Sequence, residues 1–244
     1  FVLAVAAGLL IGLGGVTSST AAHGLENAGL VRLMSGLIFP VGLMMVILMG
    51  TELFTGNALM ITAALDGKIT WARLLRNWGI AFAGNLVGAV ALAACMAFFG
   101  QLNIGGGDLA VYTAKVAASK NALPWANAFV LGIFCNIMVC IAVYQANTAQ
   151  DTAGRILGIF FPIMGFVLAG FEHCVADMYY VPAGIFAYMN PAYTGLIDAA
   201  GINVALLNFG DFICANLIPV TLGNIVGGVL VGLVMYACHA TKKA

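Results

Sequence analysis

Residues 36–57 begin Gly36-Leu37-Ile38-Phe39-Pro40, continue as an apolar run, and end Glu52-Leu53-Phe54-Thr55-Gly56-Asn57. Residues 158–174 repeat the pattern: Gly158-Ile159-Phe160-Phe161-Pro162, an apolar run, then Phe171-Glu172-His173-Cys174. Each places a carboxylate and residues that break helices where an uninterrupted helix would cross a bilayer. Charge at that depth is costly and marks a pathway. A matched pair of interrupted segments points to a central permeation or binding site.

The surrounding chain supports a membrane reading. Of its 244 residues, 63% are hydrophobic and 7% charged, with zero formal net charge, and the mean hydropathy is +1.06. Soluble domains carry far more charge, so this is a polytopic membrane protein. Nothing in the charge suggests a nucleic-acid partner. The chain opens on Phe1 inside an apolar run, so further sequence is expected ahead of it.

Apolar segments fall at about 1–22, 30–65, 72–100, 122–148, 154–190 and 211–240. The second and fifth are too long for one span and read as a half-helix, a loop and a second half-helix. The third and sixth also match each other. Asn77 and Gly84-Asn85-Leu86-Val87-Gly88 recur as Asn216 and Gly223-Asn224-Ile225-Val226-Gly227, with the paired asparagines equally spaced. The fold predicted is therefore an all-α membrane protein, one domain over 1–244, with six transmembrane segments in two halves of about 1–110 and 120–244. Three segments per half is an odd number, so the second half inserts upside down, as a 3+3 inverted repeat. Cations bias orientation. Lys68, Arg73, Arg76, Arg155, Lys242 and Lys243 fall on one side; Arg32, Lys115 and Lys120 fall on the other. That places both termini in the cytoplasm.

Glycines recur at four-residue spacing, as in Gly84/Gly88 and Gly223/Gly227, and read as close helix packing. The six cysteines, Cys95, Cys135, Cys140, Cys174, Cys214 and Cys238, form no C-x-x-C and read as packing residues. His23 and His239 lie near segment ends and no H-x-x-x-H exists, so neither a metal nor a cofactor is expected.

A few polar positions at membrane depth carry the candidate chemistry. Glu52 and Glu172 are expected to stabilise their loops by accepting bonds from loose N–H groups. His173 breaks the symmetry, because the first loop has no histidine, and imidazole suits proton exchange near neutrality. Thr55 can donate or accept toward His173, or cap a helix. Asn224 and Asn136 are candidates to orient the histidine ring. Lys120 reads by default as a solvated loop lysine near the outer entrance, and Asn190-Pro191-Ala192 as a turn. A hydrolase is disfavoured because Cys174 and His173, adjacent on an extended loop, point apart. A water or glycerol channel would need a second Asn-Pro-Ala, and a sodium-coupled transporter would need more helices.

The strings Gly50-Thr51-Glu52-Leu53-Phe54-Thr55-Gly56-Asn57, Gly170-Phe171-Glu172-His173 and Asn216-Leu217-Ile218-Pro219-Val220-Thr221-Leu222-Gly223-Asn224 resemble the formate/nitrite transporter family of formate, nitrite and hydrosulfide channels. The resemblance implies an aquaporin-like protomer in a homopentamer, one pore per protomer, in the bacterial cytoplasmic membrane, and no enzyme. It implies that Thr55 and His173 meet in the pore and that Asn224 contacts them. It implies apolar constrictions at Phe39, Leu43, Leu53 and Phe166, and a vestibule lysine at Lys120. Asp177 departs from it, since formate channels tend to carry a neutral polar residue there. The overall pattern leans toward the hydrosulfide branch, with formate or nitrite as the alternative.

Overall fold

A computed structural model describes the backbone of residues 1–240 and the side chains of residues 1–238; Lys242 and Lys243 of the orientation argument lie outside the described residues. Helices α1 (Val2–Ala22), α2 (Ala28–Leu48), α3 (Phe54–Leu65) and α4 (Trp71–Phe98) form the first half. Helix α5 (Asp108–Asn121) connects to the second half. That half contains α6 (Trp125–Thr148), α7 (Thr152–Ala169), α8 (Cys174–Met189), α9 (Pro191–Ala199) and α10 (Phe209–Cys238). Six of these, α1, α2, α4, α6, α7 and α10, are long and apolar enough to cross a membrane.

The helices meet through glycine. In lipid the gain from association is close packing, so small residues let backbones approach. A Cβ added at Gly8 would overlap the Asn85 carbonyl, and one at Gly88 the Val5 carbonyl, so α1 and α4 touch backbone to backbone. The second half repeats this: a Cβ at Gly223 would overlap the Phe129 carbonyl, and one at Gly227 the Ile133 carbonyl, joining α6 to α10.

Both predicted breaks are present and are built alike. Helix α2 ends at Gly50 (φ +66°) and α7 at Gly170 (φ +74°), left-handed positions that glycine adopts without a Cβ penalty. The next N–H turns back to the helix in each: Thr51 N to Val46 O at 3.0 Å, Phe171 N to Phe166 O at 3.0 Å. This is the Schellman closure. Extended residues follow, until α3 begins at Phe54 and α8 at Cys174.

Two local readings change. Residues 108–121 form helix α5 rather than a loop. Its buried face is Leu109, Ala110, Thr113, Ala114, Ala117 and Ala118, a small-residue stripe that admits Gly184 of α8 against Ala117. Asn190 does more than turn the chain: its side chain accepts from Ala192 N at 3.0 Å and opens α9. The start of α10 contains a π-helical stretch, Phe212–Leu217. Cys135, Cys140 and Cys174 are packed inside as predicted, whereas Cys95, Cys214 and Cys238 are exposed.

Candidate functional site

Backbone freed inside a membrane protein must find partners. The sequence reading assigned that task to Glu52 and Glu172; the structure gives it to two asparagines. Asn85 Oδ1 accepts from Phe54 N at 2.9 Å, and its Nδ2 donates to Ala4 O at 2.7 Å and Glu52 O at 2.9 Å. Asn224 repeats this, accepting from Cys174 N at 2.9 Å and donating to Gly132 O at 2.8 Å and Glu172 O at 2.9 Å. Both asparagines are fully buried. Each sits beside the glycine contact that brings the opposite backbone within reach. The break is thus pinned to its neighbouring helices, and the Glu52 and Glu172 N–H groups approach Leu3 O and Leu131 O at 3.3 and 3.4 Å.

The glutamate carboxylates bond to side chains instead. Glu52 Oε2 accepts from Asn57 Nδ2 at 2.6 Å, and the same amide donates to Asn77 Oδ1 at 2.8 Å. Glu172 Oε2 accepts from Lys120 Nζ at 2.8 Å. Lys120 is therefore no solvated loop residue. It lies in the last turn of α5, its side chain 15% exposed, and also pairs with Asp177 Oδ1 at 2.7 Å. Its ammonium sits 5.6 Å from the centroid of the Tyr180 ring.

Between the breaks, Thr55 Oγ1 and His173 Nε2 are 2.8 Å apart, both buried. His173 Nδ1 accepts from Ala176 N at 3.1 Å, so the ring caps α8. That contact sets the tautomer. Nδ1 carries no proton, the ring proton is on Nε2, and Nε2–H donates to the threonine oxygen. The threonine hydroxyl hydrogen is then free to donate elsewhere. The asparagines do not act as expected on the ring. Among the described residues no hydrogen bond from Asn224 or Asn136 reaches it. Asn136 Nδ2 instead donates to Thr55 O at 3.2 Å and Asn224 O at 2.6 Å, tying the first turn of α3 to α10. Both ring nitrogens of His173 are thus engaged, one with Thr55 and one with Ala176.

All four predicted constriction residues are buried. Phe39 and Phe166 meet edge to face at 5.8 Å, and Phe166 lies 5.9 Å from the His173 ring. These three help line a cavity of about 710 Å³, together with Lys120, Glu172 and Asp177, whose rim carries exposed Glu26, Arg32 and Lys115. Leu43 and Leu53 line a second cavity of about 330 Å³. Phe39 and Leu43 are one turn apart on α2, about 6 Å along its axis. Two cavities are thus separated by a thin apolar wall holding one polar pair. Among the described residues no three His, Cys, Asp or Glu side chains are grouped to hold a metal ion.

A polar pair between apolar constrictions, set where two broken helices meet, defines a membrane channel or transporter for a small solute. Residues 1–238 match the formate/nitrite transporter family model, and the chain belongs to that family. It is 39% identical to the formate channel FocA of Haemophilus influenzae, covering 94% of this chain and 82% of that protein. It is 34% identical to the formate channel FocA of Escherichia coli K12, covering 100% and 87%. Its fold is similar to a pentameric formate channel solved with formate bound, at TM-score 0.87 and 36% identity over 98% of this chain and 96% of that one. An FNT family ion channel gives TM-score 0.79 at 29% identity, over 96% and 88%.

Proposed function

We propose that this chain forms a channel for small monovalent weak-acid anions, with formate as its substrate. The carrying observation is the Thr55–His173 bond set between the two cavities. An ion stripped of water would cost several kcal/mol in the apolar wall. The site offsets that cost with donors. The threonine hydroxyl hydrogen is free, and the N-termini of α3 and α8 turn their positive ends toward the pair. Adding a proton at His173 Nδ1 would break its bond from Ala176 N, so the ring serves as a hydrogen-bond relay behind Thr55. The sequence pattern leaned toward hydrosulfide; relatives bearing formate names and a formate-bound neighbour favour formate instead. In this reading the protein is a homopentamer of inverted-repeat, aquaporin-like protomers in the bacterial cytoplasmic membrane, with both termini cytoplasmic.

The test is uptake into proteoliposomes of formate, nitrite and hydrosulfide at equal concentration and at two pH values. Formate uptake that exceeds the other two supports the proposal. Selective hydrosulfide uptake returns the chain to the branch its sequence pattern suggested. No uptake of any of the three ends the proposal.

A further inference from the structure

Two cations stand on the rim of the larger cavity, Arg32 and Lys115, and one stands inside it, Lys120. The inner one has little charge left to offer an anion, because its ammonium is matched by Glu172 at 2.8 Å and Asp177 at 2.7 Å. First contact with an anion therefore falls to the rim, which also carries Glu26 and Asp108. Among the described residues no carboxylate lies within ion-pair distance of Arg32 or Lys115.

The two rim cations differ in kind. Lys115 is a point charge on a flexible stem. Arg32 is a planar fork, and it is held. Its Nη1 donates to Leu168 O at 3.3 Å, near the end of α7, where a cation is favoured by the helix dipole. The guanidinium lies against Gly170: a Cβ added there would stand 2.5 Å from Nη1 and 3.4 Å from Nη2. Gly170 thus closes α7 and leaves room for Arg32. The contact with Leu168 is the guanidinium's one hydrogen bond among the described residues. It leaves free the edge formed by Nε and Nη2, whose two N–H bonds run parallel. Such an edge matches the two oxygens of a carboxylate, and a side chain already tethered loses less freedom on binding one.

We propose that Arg32 is a specificity-determining residue at the mouth of the larger cavity, its free Nε–Nη2 edge selecting planar two-oxygen anions over hydrosulfide. Formate and nitrite each carry two oxygens on one central atom and can accept both parallel N–H bonds. Hydrosulfide has a single sulfur and accepts at one point. The Thr55 hydroxyl at the apolar wall has one hydrogen to give and cannot tell one oxygen from two, so this discrimination is made at the rim or not at all. The position suits it. Arg32, Gly170 and His173 line the same cavity, so an anion released from the guanidinium is already in the space that leads to the Thr55–His173 pair. This role rests on the weak-acid channel reading and names the substrate class within it.

Arg32→Lys tests it, because that change keeps the charge and removes the fork. Initial rates of uptake into proteoliposomes are measured against concentration for formate, nitrite and hydrosulfide. The variant should raise KM for formate and nitrite about three- to fivefold, the upper range for an exposed charged pair, with maximal rates nearly unchanged and hydrosulfide unmoved. Lys115→Gln, which removes a charge but no fork, should shift all three anions together. If Arg32→Lys moves formate and hydrosulfide alike, or moves neither, the proposal is overturned. A lower maximal rate at unchanged KM overturns it too, since Arg32 would then only clamp the end of α7. A second measurement needs no variant. In isotope-labelled natural protein an arginine Nε–H resonance should shift with formate and with nitrite, and far less with hydrosulfide at equal concentration. No shift with formate, or an equal one with hydrosulfide, overturns the proposal even if the variants do not fold. A natural protein that carries none of the three anions refutes the channel reading instead.

Discussion

Asn224→Asp should separate two accounts of how the second break is held. The substitution keeps shape and keeps Oδ1, which accepts from Cys174 N. It removes the Nδ2 hydrogens that satisfy Gly132 O and Glu172 O. Both carbonyls then face an oxygen at a fully buried site. A buried group deprived of its partner costs about 1–3 kcal/mol, so the loss is roughly 2–6 kcal/mol against a typical total of about 5–15 kcal/mol. At about 2–4 °C per kcal/mol for a chain of this size, the melting point falls by roughly 4–24 °C. Glu52→Gln is the comparison, since Asn57 is the hydrogen-bond partner of the Glu52 carboxylate and a Gln carbonyl can still accept from it; its cost should stay below about 1 kcal/mol. Tryptophan fluorescence during heating in detergent reads both. If Asn224→Asp melts with the natural protein while Glu52→Gln melts well below it, the carboxylates hold the breaks and the frame argument is wrong.

Thr55→Val strands the His173 Nε2–H and deletes the free hydroxyl hydrogen; losing one hydrogen bond to a charged solute, about 1.5–3 kcal/mol, should cut formate flux about 10- to 100-fold, and flux within twofold of normal would remove Thr55 from the path. Leu53→Ala opens the wall of the smaller cavity, so acetate uptake should rise relative to formate; an unchanged ratio would mean that Leu53 does not set the constriction. Gly88→Ala pushes a methyl into the Val5 carbonyl and should destabilise by about 1–3 kcal/mol, whereas Gly79→Ala on the same helix meets nothing within 4 Å and should be neutral or slightly stabilising. Equal melting points for the two would contradict the close α1–α4 crossing.

What the sequence disclosed follows from how local each signal is. A break in a membrane helix is written in contiguous residues, so both breaks and the repeat of Gly84-Asn85 in Gly223-Asn224 were readable. The work of those asparagines was not, because amide and carboxylate side chains offer the same acceptor and only the three-dimensional register shows which lies under the loose N–H. Helix α5 was missed because its buried face is mostly alanine, with one leucine and one threonine, too weak a stripe to stand out from a loop. Its signal was the recurrence of Ala110, Ala114, Ala117 and Ala118 on one face. The Lys120 cluster was hidden for another reason. Its bond to Glu172 closes over 52 residues of chain, and a lone lysine before Asn121 carries no local mark of a buried partner. The oddity of Asp177 was visible as a departure from the family pattern, but its consequence waited on the position of Lys120.

The two halves show how a symmetric frame yields an asymmetric pore. The glycine turn, the three extended residues, the pinned carbonyls and the capping asparagine recur at both breaks. Side chains that do not support the frame are free to differ, and there they do: Leu53 against His173, Thr55 against Val175, Asn57 against Asp177. Had both halves carried histidine at that position, two imidazoles would compete for one acceptor at the centre. Had both carried leucine, the wall would hold no donor at all. One threonine from the first half and one histidine from the second make a single directed hydrogen bond across 118 residues of sequence. The same division places the carboxyl pair and its lysine on the larger cavity alone, while amides satisfy the smaller cavity's glutamate. The frame does not distinguish the two cavities; these few substitutions do.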